Sequence, residues 1–250
     1  MSEVHYLASG DTALTVDFGN IISETINQQV MALRDEITKQ NWNGIVATVP
    51  TFRSLFIQYD PCVLSHEELC RRLETLHLTL NTKHLPVHRI IEIPVCYGAR
   101  FGPDLRDGEK LTGLSADEII ALHSGHNYRI YMLGFLPGFP YLGGLDERIC
   151  MPRLATPRTR IPAGSVGIGG SQTGLYPVDS PGGWRLIGAT PLTLYDPSRE
   201  HPIPYKSGDY IRFVPVDISD YYDIRREAER GAYSFRFLDA SAVSEGGDTL

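Results

Sequence analysis

Between residues 134 and 188 the chain carries twelve of its 24 glycines and seven of its 17 prolines, separated by short apolar runs. Glycine and proline are the residues least tolerated inside a helix, so this punctuation leaves no room there for a long one. A low-complexity linker would show similar counts but would lack the apolar runs. Residues 129–135, 165–168, 174–178, 185–189, 192–195 and 210–214 each read as a strand. Many short strands between Gly/Pro turns predict a small barrel or sandwich.

The part before it has a different texture. Residues 4–8 and 13–18 read as strands around the Gly10-Asp11 turn, and residues 23–39 as a helix with Ile26, Val30, Leu33 and Ile37 on one stripe. Strands over 44–49 and 54–59 follow, with Pro50 between them. Ser65 and Glu68 form a capping-box pattern ahead of a second stripe, Leu69, Leu73, Leu76 and Leu80. One sheet with both helices on one face is the simplest way to bury two stripes. The polar break at 81–84 and Pro86 mark a boundary. Beyond it come a strand over 90–95, a glycine-rich loop through Gly98, Gly102 and Gly108, and a helix opened by a second capping box at Ser115 and Glu118.

The expected fold is therefore α+β. An α/β N-terminal domain (β-β-α-β-β-α) spans 1–85 and a β-barrel domain spans 86–218. A charged helix and a tail expected to be mobile make up 219–250.

Composition excludes several classes. With 42% hydrophobic and 21% charged residues, the chain has the material for a core. A net charge of -7 and no long Lys/Arg block argue against nucleic acid as a partner; the densest basic stretch, Arg148, Arg153, Arg158 and Arg160, is interrupted by Pro and Thr. No stretch approaches the roughly 18 apolar residues of a membrane helix, and residues 1–11 do not read as a signal peptide. Cys62, Cys70, Cys96 and Cys150 form no CxxC pair, and reduced thiols in a cytoplasmic protein are the expectation. His84 and His88 have HxxxH spacing, but Pro86 prevents the helix that would align them, so no metal site is expected.

Several residues carry potential chemistry. His123 shares a helix face with Ile119 and Ile120. It is either a packed histidine bonded to a carbonyl or a general acid/base. Residues 131–144 set Phe135, Phe139 and Tyr141 among Gly134, Gly138, Pro137 and Pro140: either a rigid plug at the barrel end or a pocket wall whose backbone N–H groups face an anion. Arg153, Arg158 and Arg160, stiffened by prolines, suit a carboxylate or phosphate, or belong to a solvated loop. Ser165, Gln172 and Thr173 lie at strand-turn junctions where they could bond an amide-like ligand. Trp184, after the Pro181-Gly182-Gly183 turn, is a core plug or an aromatic wall. Gly167-Ile168-Gly169-Gly170 is no phosphate loop, since no Gly-Lys-Ser/Thr ending or helix follows.

Five motifs, in their order and spacing, carry a resemblance: Leu122-His123-Ser124, Leu133-Gly134-Phe135-Leu136-Pro137-Gly138-Phe139-Pro140-Tyr141-Leu142, Ile161-Pro162-Ala163-Gly164-Ser165-Val166-Gly167-Ile168-Gly169-Gly170, Gln172-Thr173-Gly174 and Ser180-Pro181-Gly182-Gly183-Trp184. Over residues 4–217 the chain resembles the B-subunit family of bacterial ATP-dependent 5-oxoprolinases, also labelled allophanate hydrolase subunit 1 and sporulation-kinase inhibitor. The resemblance implies a small α/β domain followed by a cyclophilin-like β-barrel. It also implies partner subunits A and C, with ATP and Mg used by the assembled complex to open 5-oxoproline to glutamate. It implies His123 in a catalytic role, with Arg153, Arg158, Ser165, Gln172 and Thr173 binding substrate or anion. Phe135, Gly138, Phe139 and Trp184 would be pocket walls. Two alternatives accompany it: inhibition of a sporulation sensor histidine kinase by binding, and an allophanate- or urea-type amide-processing subunit. A prolyl-isomerase reading rests on the barrel alone.

Overall fold

Two hairpins, each followed by a helix, build the first unit. The structure, a computed structural model, describes residues 4–79 and 89–239. The chain divides into two compact units, Met1–Pro86 and Val87–Leu250. The expected break at 81–86, Leu80, His84, His88 and the tail from 240 onward lie outside the described residues.

In the first unit β1 (His5–Ala8), β2 (Ala13–Asp17), α1 (Glu24–Gln40), β3 (Ile45–Pro50), β4 (Ser54–Tyr59) and α2 (His66–Thr79) follow in order. The antiparallel sheet runs β1-β2-β4-β3. Alternation puts Leu14 and Val16 of β2 opposite Ile57 and Leu55 of β4 on one face. That face forms a single core with Val30, Leu33 and Ile37 of α1 and Leu69, Leu73 and Leu76 of α2. Ser23 caps α1 by accepting from the Ile26 N–H at 3.2 Å, and Ser65 caps α2 by accepting from Glu68 N–H at 3.2 Å.

The second unit comprises β5 (Arg89–Tyr97), α3 (Leu105–Thr112), α4 (Ala116–Ser124), β6 (Asn127–Leu133), β7 (Pro140–Gly143), β8 (Arg158–Ile161), β9 (Ser165–Gly169), β10 (Gln172–Leu175), β11 (Ser180–Gly182), β12 (Arg185–Ala189), β13 (Tyr210–Pro215), α5 (Ile218–Glu229) and β14 (Phe237–Asp239). The main sheet runs β10-β9-β12-β5-β13-β6-β7, with β14 also on β5, while β8 and β11 form a separate ribbon. Its two ends meet: a Cβ on Gly174 of β10 would stand 3.4 Å from the Pro140 carbonyl of β7. The sheet is thus a nearly closed barrel. Its core joins Ile91, Ile93 and Val95 of β5 to Val166, Ile168, Ile211 and Phe213. The capping box at α4 is complete, with Glu118 N–H donating to Ser115 Oγ at 3.3 Å and Ser115 N–H to Glu118 Oε2 at 2.8 Å.

Two expectations need correction. The segment through Gly98, Gly102 and Gly108 is not a loop throughout, because α3 begins at Leu105. Gly108 is there for close packing: a Cβ would approach Met151 Cε to 2.7 Å. Residues 192–195 are not a strand. Leu192 and Leu194 are buried in the alternation of a strand, but their backbone has no ladder partner among the described residues. Strands β7, β8, β11 and β14 are too short or too polar to read from pattern.

Candidate functional site

At one end of the barrel, five aromatic side chains converge. Phe139 is buried, and its ring meets Phe135, Tyr141, Tyr176 and Trp184 edge-on, with centroids 5.7, 5.4, 5.3 and 5.7 Å away. T-shaped contact places positive ring edges against negative faces. These rings, with Arg153 and the Gly182–Gly183 backbone, line a cavity of about 130 Å³.

The local sequence explains the shape. Gly169 and Gly174 leave room for the Trp184 indole: a Cβ on the first would overlap the ring and on the second would lie 3.0 Å from it. Gly182 is similarly tight against the Tyr176 hydroxyl, at 2.8 Å from a Cβ. The loop between β6 and β7 closes on itself through Gly134 N–H to Phe139 O at 3.1 Å and Phe139 N–H to Leu136 O at 3.0 Å. This tight loop holds Phe135 at φ +66°, where a bulky side chain costs on the order of 1–3 kcal/mol. Phe135 remains 65% exposed at the mouth. Gly138 faces elsewhere: its carbonyl accepts from Tyr205 Oη at 2.8 Å on the loop's far side.

The arginines part company. Arg158 donates from Nη2 to Asp104 Oδ1 at 2.6 Å, and the same buried carboxylate accepts from Leu186 N–H at 2.6 Å. Its charge is used inside the protein. Arg160 pairs with Asp179 on the surface at 2.8 Å. Arg153 has neither: its guanidinium lies over the Trp184 ring, 5.9 Å from the centroid, and makes no ion pair among the described residues. The backbone on both sides of it is fixed, since Arg185 Nε donates to Pro152 O at 2.9 Å and Leu154 N–H to Gly183 O at 2.7 Å.

Tyr176, which the sequence does not single out, supplies a donor to this cavity. Burial pushes its phenol up to about 12, with Arg153 and Arg158 pulling the other way, so it stays protonated at neutral pH. Its hydroxyl has no hydrogen-bond partner among the described residues. The signal that could have found it is the pairing of an aromatic with the Gly174-Leu175 strand end.

His123 lies in the barrel core, not in this cavity. It is fully buried and stacked on Phe213 at 4.6 Å. Tyr97 Oη lies 2.8 Å from Nδ1, Nε2 lies 2.7 Å from Thr173 Oγ1, and Thr173 donates to Gly167 O at 3.2 Å. Because the Thr173 proton goes to Gly167, the threonine accepts from Nε2–H, and Nδ1 accepts from Tyr97. Burial brings the imidazole down to about 3, so the ring is neutral. Thr173 belongs to this chain of bonds. Ser165 and Gln172, at the starts of β9 and β10, do not line the cavity. Of the residues singled out from sequence, the structure gathers Phe135, Phe139, Arg153 and Trp184, and keeps His123, Gly138, Arg158, Ser165, Gln172 and Thr173 off the lining.

Cationic, aromatic and hydroxyl groups around a small void suit a flat, compact anion. The sequence profile of the carboxyltransferase domain, subdomain C and D, matches residues 4–205. The 5-oxoprolinase B subunit of Bacillus subtilis is 42% identical over 229 residues, covering 88% of this chain and 95% of the relative. Among solved structures, TTHA0988 matches with a TM-score of 0.74 and 37% identity, covering 82% of this chain and 40% of its own. The chain therefore spans less than half of that protein. The Kluyveromyces lactis urea carboxylase matches with a TM-score of 0.76 at 19% identity, covering 95% of this chain and 24% of its own, and shares the fold.

Proposed function

The chain belongs to the B-subunit family of 5-oxoprolinases, and from that premise we propose that it is the B subunit of an ATP-dependent 5-oxoprolinase, inactive alone, which opens 5-oxoproline to L-glutamate together with subunits A and C. The observation that carries this reading is the unpaired Arg153 beside the free Tyr176 hydroxyl in an aromatic cavity. 5-Oxoproline is a flat lactam ring bearing one carboxylate. Its carboxylate suits the Arg153 guanidinium bidentately, and its ring suits the Phe139 and Trp184 walls. The Tyr176 phenol then donates to an oxygen of the ligand.

A lactam is a poor electrophile. Transfer of the ATP γ-phosphoryl group to the lactam oxygen breaks the bond to ADP and turns that oxygen into part of a leaving group. Water then adds at the ring carbon, the ring C–N bond breaks with a proton taken up by the leaving amine, and the acyl phosphate so formed is cleaved by a second water to the glutamate carboxylate and phosphate. In this scheme the chain's residues bind and orient the ring. Arg153 holds the carboxylate, Tyr176 holds a proton toward the ligand, and the aromatic wall excludes water. His123 acts at one remove, tying β9 and β10 to the rest of the barrel through Tyr97 and Thr173. Ser165 and Gln172 take no part in this reading.

The test is ATP-dependent glutamate release from 5-oxoproline by this chain mixed with its A and C subunits, omitting each in turn. Activity that requires all three supports the assignment. A folded, fully assembled mixture that releases no glutamate rejects it, and release from allophanate-type amides instead would move the assignment to that class.

A further inference from the structure

Two peptide planes aim the Arg153 side chain, and both are held by the neighbours of Trp184. On one side Leu154 N–H donates to Gly183 O at 2.7 Å, which fixes the peptide between Arg153 and Leu154. On the other, Arg185 Nε donates to Pro152 O at 2.9 Å, which fixes the peptide between Pro152 and Arg153. Residues 183 and 185 flank Trp184, so the stretch that carries the indole also sets the backbone of the arginine lying over it. One residue further back, Met151 and Gly170 bond each other in both directions, N–H to O, at 3.3 and 2.7 Å.

Of these restraints only the one from Arg185 is made by a side chain. Arg185 opens β12, where it pairs with Ile168 of β9, so its own backbone belongs to the barrel wall. Its side chain is 15% exposed, and Nη1 lies 3.8 Å from Asp107 Oδ2 on α3. It does not line the aromatic cavity. The Pro152 ring locks φ but leaves ψ free, and ψ is the angle that turns the Pro152 carbonyl. The bond from Arg185 holds that angle. A turn of this peptide would swing the Arg153 Cα–Cβ bond and carry the guanidinium across the Trp184 ring. A misplacement on the order of 1 Å at a positioning group can cost as much as about a hundredfold.

We propose that Arg185 is the positioning residue for Arg153: through the Pro152 carbonyl it fixes the direction from which the guanidinium meets the substrate carboxylate. It touches no substrate itself. The proposal rests on the assignment of that carboxylate to Arg153 made above. Arg153 holds the carboxylate alike before and during reaction, so a loss of aim raises KM and leaves kcat where it was.

The experiment is steady-state glutamate release by the assembled enzyme carrying Arg185→Met, Arg185→Gln, Arg153→Ala, or Arg153→Ala with Arg185→Met, each with its melting temperature. Methionine keeps an unbranched stem without a donor. Glutamine carries its amide nitrogen as many bonds from the backbone as arginine carries Nε, so it donates to Pro152 O without the charge. Arg185→Met should raise KM about threefold to tenfold, the range of one hydrogen bond, with kcat unchanged. Arg185→Gln should stay within about twofold of wild type, since it keeps that bond. In the Arg153→Ala background Arg185→Met should add nothing, because its effect passes only through Arg153. A KM unmoved by Arg185→Met, a glutamine variant as impaired as the methionine one, or a further rise in the double variant overturns the proposal. If Arg185→Met fails to assemble, Arg185→Gln still decides, since a raised KM in a variant that keeps the donor overturns it. A raised KM in Arg153→Ala without one in Arg185→Met rejects the positioning role alone. An unchanged KM in Arg153→Ala rejects the carboxylate assignment, and the positioning role falls with it.

Discussion

Arg153 and Arg158 sit on one short segment and have opposite duties. Arg158 is neutralised by Asp104, whereas Arg153 makes no ion pair among the described residues and, on the proposed reading, meets the substrate carboxylate. Arg153→Ala should therefore leave the melting temperature within about 1 °C, since exposed substitutions fall within about 0.5 kcal/mol. It should raise the KM for 5-oxoproline about tenfold to a hundredfold, the worth of a charge-assisted bond of ~1.5–3 kcal/mol. Tyr176→Phe should lower kcat/KM by about tenfold, with a flat profile from about pH 6 to 9 in wild type because the phenol titrates at about 12. His123 makes a prediction about stability. An unfolded histidine takes up a proton near pH 6.5, but the folded ring resists it down to about 3. The unfolded state binds more protons in that window, so stability is full above pH 6.5 and falls on acidification by up to ~1.4 kcal/mol per pH unit. Thermal melts from about pH 7 to 4 should show a steeper loss in wild type than in His123→Gln. Parallel slopes would count against a buried neutral imidazole.

At the scale of elements, glycines set where the site can form. Gly169→Ala would force a methyl into the Trp184 indole, and overpacking of this kind costs about 1–3 kcal/mol. A lower urea midpoint with altered tryptophan emission is the expected outcome. Asp104→Ala should cost about 3 kcal/mol by chemical denaturation, because it strands Arg158 and the Leu186 N–H together. The helices α1, α2 and α4 were legible because each pairs an apolar stripe with a capping serine. The barrel was legible from glycine and proline punctuation. The helix α3 was not, because Gly108 reads as a loop residue unless Met151 is known to press on it. At the site, Phe139, Trp184 and Arg153 stood out by composition, but sequence could not show which arginine a buried aspartate had claimed. Nor could it show that both nitrogens of His123 are engaged, since Tyr97 and Thr173 are distant in the chain.

At the scale of the whole molecule, the second unit carries a small aromatic cavity and a larger one between the segment 192–206 and the stretch 228–237. No carboxylate or imidazole lines the aromatic cavity among the described residues, so it holds no general base for neutral pH. On the proposed reading this subunit binds and orients the ring, and water attack falls to groups on its partners. No described helix is long and apolar enough to cross a membrane. Phe135 stays exposed at the cavity mouth, held at positive φ. The most direct measurement is the dependence of glutamate release on 5-oxoproline concentration in the assembled enzyme, comparing wild type with Arg153→Ala. A KM raised about tenfold or more in a variant that folds and assembles normally is the predicted result. An unchanged KM would contradict the placement of the substrate carboxylate on Arg153, and with it the claim that this aromatic cavity receives 5-oxoproline.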